Sequence, residues 1–193
     1  MAIPPPELKQ LIHQAQNGDR DAVAQLYETY AQAIYRYVVH RVPAVADAED
    51  LTAEVFVKMV EGLAQYRVTD VPFEAWLYRI AAARIADHYR RHARRPVADL
   101  SDDMPGYEPL VEEQILEQQE LGTLHDAMRQ LSEEQQSVLI LRFVERKSHE
   151  EVGRILNKSV AAVKTIQYRA LIELADLLGS EKAVRHYLRG VHD

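Results

Sequence analysis

The sequence has no cysteine among its 193 residues, which excludes a disulfide-stapled scaffold and any metal site built on thiolates. No apolar run approaches the roughly 20 residues that a membrane-spanning helix needs, so we expect no membrane insertion. The N-terminal segment MAIPPPELKQ lacks the basic and apolar sections of a signal peptide. We therefore expect the protein to be cytoplasmic.

The chain also lacks strand-like alternation, internal repeats and any constellation of catalytic residues. Its hydrophobic residues, 47% of the total, are enough for real cores and recur at helical spacing. We therefore predict an all-α protein of two small helical domains joined by an acidic linker. We expect no enzymatic activity, no cofactor and no metal.

In the N-terminal half, helical periodicity predicts four helices, over residues 7–16, 19–42, 47–63 and 73 to about 94. Pro43 and Pro96 end the second and the fourth, because the residue before a proline disfavours helical backbone. Tyr27 in the second helix and Val60 in the third are among the residues predicted to face inward.

Charge is strongly segregated along the chain, although the net charge of −7 argues at first against a nucleic-acid partner. Residues 77–95 carry six arginines against one acid, Asp87, for a local charge of +5. Residues 99–120 carry eight acids and neither lysine nor arginine. A local basic face sets the attraction to a phosphate backbone, so the basic segment is a candidate nucleic-acid surface. The alternative is a solvated helix face.

The stretch over residues 148–178 reads SHEEVGRILNKSVAAVKTIQYRALIELADLL. It predicts a first helix in which Gly153 allows close approach, a left-handed turn at Asn157, and a second helix capped by Ser159. The second helix is predicted to bury Val163, Ile166, Ala170, Leu174 and Leu177. This is the anatomy of a DNA-binding helix-turn-helix, whose second helix enters the major groove. An ordinary helical hairpin is the alternative.

Three blocks of sequence, in this order and spacing, resemble the extracytoplasmic-function group of bacterial sigma factors. The first comprises GDRDAVAQLYETYAQAIYRYVVHRV and DAEDLTAEVFVKMVEGLAQY, the second is PFEAWLYRIAAARIADHYRRHARR, and the third is LHDAMRQLSEEQQSVLILRFVERKSHEEVGRILNKSVAAVKTIQYRALIEL. The resemblance implies a polymerase-binding and promoter-melting domain over 1–95, an acidic linker over 96–114, and a helix-turn-helix domain over 115–179. It gives no role to an extension over 180–193.

By this resemblance the protein is a sigma factor, which binds core RNA polymerase and directs promoter recognition and transcription initiation. Its implied partners are core RNA polymerase, promoter DNA and an anti-sigma factor or other regulator. Polymerase would dock on the helix over 47–63, through Asp47, Glu49, Asp50, Glu54 and Lys58. For Asp47, Glu49 and Asp50, in the first turn of this helix, the alternative is that they only stabilise the helix dipole.

The second block would contact the melted promoter element. Basic side chains hold displaced phosphates and aromatic side chains offer a stacking surface for an extruded base. The expected residues are Tyr66 and Arg67 in a loop over 66–70, then Trp76, Arg79, Arg84, His88, Arg90 and Arg91. For Trp76 a place in the core is the alternative. His88 and His92 have a metal-compatible spacing, but no third ligand is evident.

The third block would read the upstream element as duplex DNA. Lys158, Ser159 and Thr165 are expected to position the helix on phosphates, and Lys164, Gln167, Tyr168 and Arg169 to reach phosphates or base edges.

The chain departs from the family pattern at three places. Ala83 stands where an asparagine is usual, Ser132 follows Leu131 where proline is frequent, and Gln136 replaces a common basic residue. Ser132 is still expected to cap the next helix, supported by Glu134 or Gln135.

Two other classes of protein are open on sequence alone. One is a conventional helix-turn-helix regulator that binds DNA by itself, and the other is a helical adaptor that binds only protein. A basic helix around Trp76 has no use in a sensor domain, which favours the sigma factor.

Overall fold

The computed structural model of the protein describes residues 5–69, 71–93, 124 and 126–179. Within these ranges the helices are α1 (Pro5–Gln16), α2 (Arg20–Val39), α3 (Val45–Leu63), α4 (Phe73–Ala93), α5 (Glu133–Leu139), a π-helical turn (Ile140–Val144), α6 (His149–Leu156) and α7 (Val160–Leu177). Residues 126–130 are also helical. The predicted all-α class is confirmed.

Several predictions concern residues outside these ranges. They include the linker over 96–114, the extension over 180–193, and the side chains of Asp70, Arg94 and Arg95. Among the described helices, none is long and apolar enough to cross a membrane.

Helix ends follow local rules of capping. The Asp19 carboxylate accepts hydrogen bonds from the N–H groups of Asp21 at 2.9 Å and Ala22 at 3.2 Å, which fixes the start of α2. This helix ends at Val39, three residues before the predicted end. The steric effect of Pro43 on the preceding backbone accounts for part of that difference, and the chain leaves α2 through a turn closed by the Arg41 N–H on the Val38 carbonyl at 2.8 Å.

The N-terminal half is a bundle of α2, α3 and α4, with α1 packed across α2. Leu26, Val55 and Leu77 are fully buried at its centre, and each contributes about 1.5–3 kcal/mol through removal of apolar surface from water. Tyr27 and Val60, predicted to face inward, are about half exposed.

The C-terminal half packs α5 against α7 and α6 against α7. As expected, Ser132 caps α5: its hydroxyl accepts from the Gln135 N–H at 3.3 Å, and the Gln135 side chain accepts from the Ser132 N–H at 2.8 Å. The π-helical turn is closed by the Glu145 N–H on the Ile140 carbonyl at 3.0 Å. Such wide turns often occur at functional positions.

The two halves share one hydrophobic core. Val138, Leu141 and Val152 from the C-terminal half belong to the same buried cluster as Leu26 and Val55. The helices that meet are α4 with α6, and α2 with the π-helical turn. The sequence predicted two tethered domains and did not predict this contact between them.

Candidate nucleic-acid interface

The acidic residues of α3 do not form one surface. Asp47 lies 3.7 Å from the imidazole of His88, and Glu54 lies 3.8 Å from the guanidinium of Arg91, so both face α4. Glu49 and Asp50 are exposed. Lys58 is also exposed but pairs with Glu61 on its own helix at 2.7 Å. Of the five residues predicted to dock polymerase, Glu49 and Asp50 are the acids that point to solvent.

An open apolar groove between α2 and α3 was missed by the sequence reasoning. Tyr27 and Phe56 meet edge to face in it at 4.7 Å, and Val57 and Val60 line it while remaining more than half exposed. A signal was available, because α3 carries apolar residues on more of its circumference than one buried stripe requires. Exposed apolar surface of this kind marks interaction sites.

An aromatic cluster joins the loop before α4 to the start of that helix. The ring of Tyr66 lies 4.7 Å from Trp76 and 5.1 Å from Phe73. A Cβ built on Gly62 would lie 3.0 Å from the Trp76 ring, so α3 and the indole are in close contact. Tyr66 and Trp76 are each partly buried, so Trp76 has both a packing role and an accessible edge.

The loop that holds Tyr66 is fixed from behind by α1. The side-chain amide of Gln16 donates to the Leu63 carbonyl at 3.0 Å and to the Tyr66 carbonyl at 2.7 Å. Arg67 and Thr69 are exposed on the outer side of this loop. The loop therefore presents a basic and an aromatic side chain from an anchored backbone.

The arginines of α4 differ in their partners. Arg84 and Arg90 both pair with Asp87, and the Arg90 guanidinium holds the pKa of that carboxyl below its ordinary value. Arg91 faces Glu54 as described above. Arg79 is exposed and donates to the Ala75 carbonyl at 3.3 Å. The local positive charge is thus partly neutralised by acids of the bundle itself.

The prediction that His88 contacts DNA is wrong. Its side chain is turned toward α3 and the residue is only 6% exposed. Removal from water lowers its pKa, because the charged imidazolium is disfavoured where solvent is scarce. His88 follows Leu77, Ala81 and Ile85 on the buried stripe of α4, which is why the helical period places it inside.

The helix-turn-helix is formed as predicted. Ser148 and Glu151 make a reciprocal capping box at the start of α6, Asn157 has a left-handed backbone with φ 54°, and the Ser159 hydroxyl accepts from the Ala162 N–H at 3.1 Å. A Cβ on Gly153 would lie 2.7 Å from the Lys158 carbonyl oxygen, so glycine is required for this close turn.

The solvent face of α7 carries part of the predicted recognition set. Lys164, Thr165, Tyr168 and Arg169 are exposed, Tyr168 by 52%. The Thr165 hydroxyl donates to the Ala161 carbonyl at 2.9 Å. At the start of the helix Ser159 is an N-cap, and Lys158 reaches back to Glu134 at 2.5 Å. The exposed residues at 164, 165 and 168 lie on one face.

The prediction that Gln167 reads a base edge is wrong for this structure. Gln167 is 5% exposed, and its side-chain oxygen accepts hydrogen bonds from Arg142 at 3.2 Å and from His149 at 3.0 Å. Its position four residues after Val163 and three before Ala170 puts it on the buried stripe of α7. On sequence alone, the polar amide of Gln167 favoured an outward orientation. In the structure its oxygen instead accepts hydrogen bonds from two donors inside the domain.

A basic helix beside an exposed helix-turn-helix, among described residues that form helices and turns but no strand, is typical of a DNA-binding protein. Residues 26–95 match the family Sigma-70 region 2, and residues 121–174 match Sigma-70, region 4. The ECF RNA polymerase sigma factor BldN of Streptomyces coelicolor is 36% identical over 173 residues, which are 89% of this chain and 66% of BldN. The RNA polymerase sigma factor YlaC of Bacillus subtilis is 34% identical over 158 residues, which are 80% of this chain and 91% of YlaC.

Among solved structures, CnrH in complex with the cytosolic domain of CnrY has a TM-score of 0.64 at 25% identity, covering 89% of this chain and 97% of CnrH. The chain therefore belongs to the extracytoplasmic-function RNA polymerase sigma factors. This confirms the sequence-based prediction of a sigma factor over that of an independent regulator.

Proposed function

We propose that this chain binds core RNA polymerase through its N-terminal half and, in that complex, recognises a two-part promoter and opens it. One observation supports this most strongly. The chain combines a basic helix, next to a loop with an aromatic side chain, and an exposed helix-turn-helix, and these lie in the two regions that match the sigma-70 family. The work is binding and strand separation in the cytoplasm, with no bond made by the chain.

The polymerase-binding surface in this proposal combines charge with apolar area. Glu49 borders the groove that holds Val57 and Val60, and Asp50 and Lys58 extend the exposed face of α3. Burial of the two half-exposed valines supplies affinity, while the acids select a basic partner. Asp47 and Glu54 contribute less directly, because Asp47 already faces the imidazole of His88 and Glu54 the guanidinium of Arg91.

The DNA-binding surfaces follow from the same exposure pattern. For the melted element we assign Tyr66, Arg67, Trp76 and Arg79, together with Arg84, Arg90 and Arg91 as phosphate contacts. For the upstream element we assign Lys164, Tyr168 and Arg169 to base edges or phosphates, and Lys158, Ser159 and Thr165 to positioning on the backbone. Gln167 and His88 have no place in either surface.

An anti-sigma factor is the expected regulator. CnrH was solved with the cytosolic domain of CnrY, and RpoE of Bartonella quintana, which has the same fold, was solved with the anti-sigma factor NepR. We extend this class of partner to the present chain.

Transcription from a defined promoter by purified core polymerase tests the proposal. Added protein should start transcription at one site, and the free protein should bind the same duplex weakly. The variant Val57→Asp/Val60→Asp should lose binding to core polymerase, with Glu28→Asp, at an exposed site on α2, as the matched control. Strong site-specific DNA binding by the free protein, without affinity for core polymerase, would instead identify an independent regulator.

A further inference from the structure

The first helix of the N-terminal half lies outside the part of the chain that matches a family. α1 precedes residues 26–95, which match Sigma-70 region 2. It packs across α2 and buries Leu11, Ile12 and Ala15 in the hydrophobic core. Its last residue, Gln16, reaches the end of α3, 47 positions later in the chain. The family match therefore does not extend to this helix or to the contact that it makes.

The side-chain amide of Gln16 uses its whole hydrogen-bonding capacity at this contact. Its nitrogen donates to the Leu63 carbonyl at 3.0 Å and to the Tyr66 carbonyl at 2.7 Å. Its oxygen accepts from Nδ1 of His13, one turn earlier on α1, at 3.1 Å. An amide group has two N–H donors and one carbonyl oxygen, so both donors and the oxygen have partners. The bond from His13 fixes which end of the amide faces α3.

The end of α3 has no local feature that directs the chain after it. Many helices end at a left-handed residue, usually glycine. Here Ala64 is right-handed, with φ −59° and ψ −28°, and no residue from 65 to 69 has a positive φ. The Tyr66 N–H closes a turn on the Leu63 carbonyl at 3.1 Å. The Tyr66 carbonyl lies beyond that turn and receives its hydrogen bond from α1, so a different helix directs the chain at this point.

The loop that follows alternates between the core and solvent. Tyr66 and Val68 pack against the hydrophobic core, whereas Arg67 and Thr69 are exposed. Successive side chains of an extended backbone point to opposite sides, and a shift by one residue exchanges the two sides. The anchored carbonyl of Tyr66 therefore keeps the tyrosine ring 4.7 Å from Trp76 and turns the Arg67 guanidinium outward.

We propose that Gln16 is a positioning residue for promoter opening: its two hydrogen bonds hold the loop over 66–69 in the placement from which Tyr66 and Arg67 engage the melted strand. This rests on the proposed function, which assigns those two side chains to the melted element. α1 thereby takes part in strand opening through the loop that it anchors. A loop that is already ordered lowers the cost of capturing an unpaired base.

The fluorescence of Trp76 tests the anchored loop without polymerase or DNA. Trp76 is the only tryptophan, and the Tyr66 ring lies beside it. Gln16→Leu removes both donors, and Gln16→Glu replaces them with an oxygen that cannot donate. Both variants should increase the quenching of Trp76 by acrylamide in the free protein. Gln14→Leu and Gln14→Glu make the same changes at an exposed site of the same helix and should match wild type.

Promoter opening by the complex with core polymerase provides the functional measurement. A promoter that carries 2-aminopurine in the melted element reports the separation of the strands. Gln16→Leu should open this duplex on the order of tenfold more slowly than wild type, since two hydrogen bonds that orient the loop are lost. On the same promoter with a mismatched, premelted element, the transcription rate should return to that of wild type, because no strand has to be opened.

A double-mutant cycle shows whether Gln16 acts through Tyr66. Gln16→Leu should slow opening in the wild-type background and have little further effect in the Tyr66→Ala background, because the two residues then belong to one unit. A general loss of stability would instead slow opening by the same factor in both backgrounds.

Each measurement has an outcome that contradicts the proposal. Quenching that is unchanged in both Gln16 variants overturns the anchoring of the loop. Opening at the rate of the Gln14→Leu control, equal slowing on the premelted promoter, or equal factors in the two backgrounds overturns a role in strand opening. Failure of wild-type protein to start transcription with core polymerase would count against the proposed function, and the quenching result does not depend on it.

Discussion

Gln167 and Arg169 stand two positions apart on α7 and have opposite environments. Gln167→Ala removes the acceptor shared by Arg142 and His149, and leaving such donors unpaired should cost about 1–3 kcal/mol of stability. Base preference should not change. Arg169→Ala should leave stability nearly unchanged and lose about 1–3 kcal/mol on the preferred upstream element if it contacts a base edge. Urea unfolding and selection from a randomised DNA pool measure the two effects.

A loss of base preference in Gln167→Ala, at full stability, would show that this amide turns outward when DNA binds. Lys158→Ala provides a comparison, since a phosphate contact should weaken binding to all sequences alike. The ion-pair partner of Lys158, Glu134, is half exposed. Removal of the Lys158 ammonium should therefore have little effect on folding.

His88 gives the molecule a defined pH dependence. Burial lowers its pKa below the ordinary value of 6.5, and desolvation lowers the pKa of His149 in the same direction. The unfolded chain then binds protons more readily than the folded chain, so stability rises with pH in this window. Lowering the pH from about 7.5 to about 5.5 should reduce the free energy of unfolding, and His88→Gln should flatten the slope.

Carboxyl groups with lowered pKa values do not contribute to this dependence of stability on pH. The pKa values of Asp87, Glu150 and Glu151 are lowered from their ordinary ones by hydrogen bonds, so these carboxylates stay ionised through the window and contribute their stability there. Equal slopes in wild type and His88→Gln would contradict the buried environment of this imidazole.

At the scale of elements, the turn of the helix-turn-helix depends on two residues with different requirements. In Gly153→Ala the new Cβ meets the Lys158 carbonyl oxygen at 2.7 Å, and displacement of that backbone should cost about 1–3 kcal/mol. Because the turn sets the angle of α7, binding to upstream DNA should weaken as well. Circular dichroism during urea unfolding and a DNA titration measure these changes.

Asn157→Gly is the matched change at the other side of the turn. The backbone of Asn157 has a φ of 54°, a left-handed conformation that glycine adopts without steric strain. The stability of the variant should therefore stay within about 1 kcal/mol of wild type. If Gly153→Ala were tolerated as well as Asn157→Gly, the close approach would not be rigid.

At the scale of the whole molecule, the shared core predicts cooperative unfolding. Trp76 is the only tryptophan and reports on the N-terminal half, whereas circular dichroism reports on all helices. The two signals should give one urea transition in wild type, since the buried cluster includes Val138 and Val152 as well as Leu26. In Arg36→Glu, which removes a pair of hydrogen bonds between the halves, the two midpoints should separate. Separate midpoints already in wild type would mean that the halves unfold independently.

The sequence by itself determined the local architecture of this sigma factor. The approximate positions of the helices, the caps at Ser132 and Ser159, and the left-handed turn at Asn157 all depend on residues within four positions of one another. Apolar periodicity and capping chemistry act over that range, so these elements were predictable. The three family blocks were recognisable for the same reason.

Only the tertiary structure decided which faces the polar residues occupy and which residues meet across the chain. Gln167 and His88 belong to buried stripes because neighbouring helices supply their surroundings, and the groove of Val57 and Val60 stays open because no described helix covers it. Arg36 and Glu145 are 109 positions apart. No local spacing encodes such a pair, since it exists only when the two halves of the chain pack against each other.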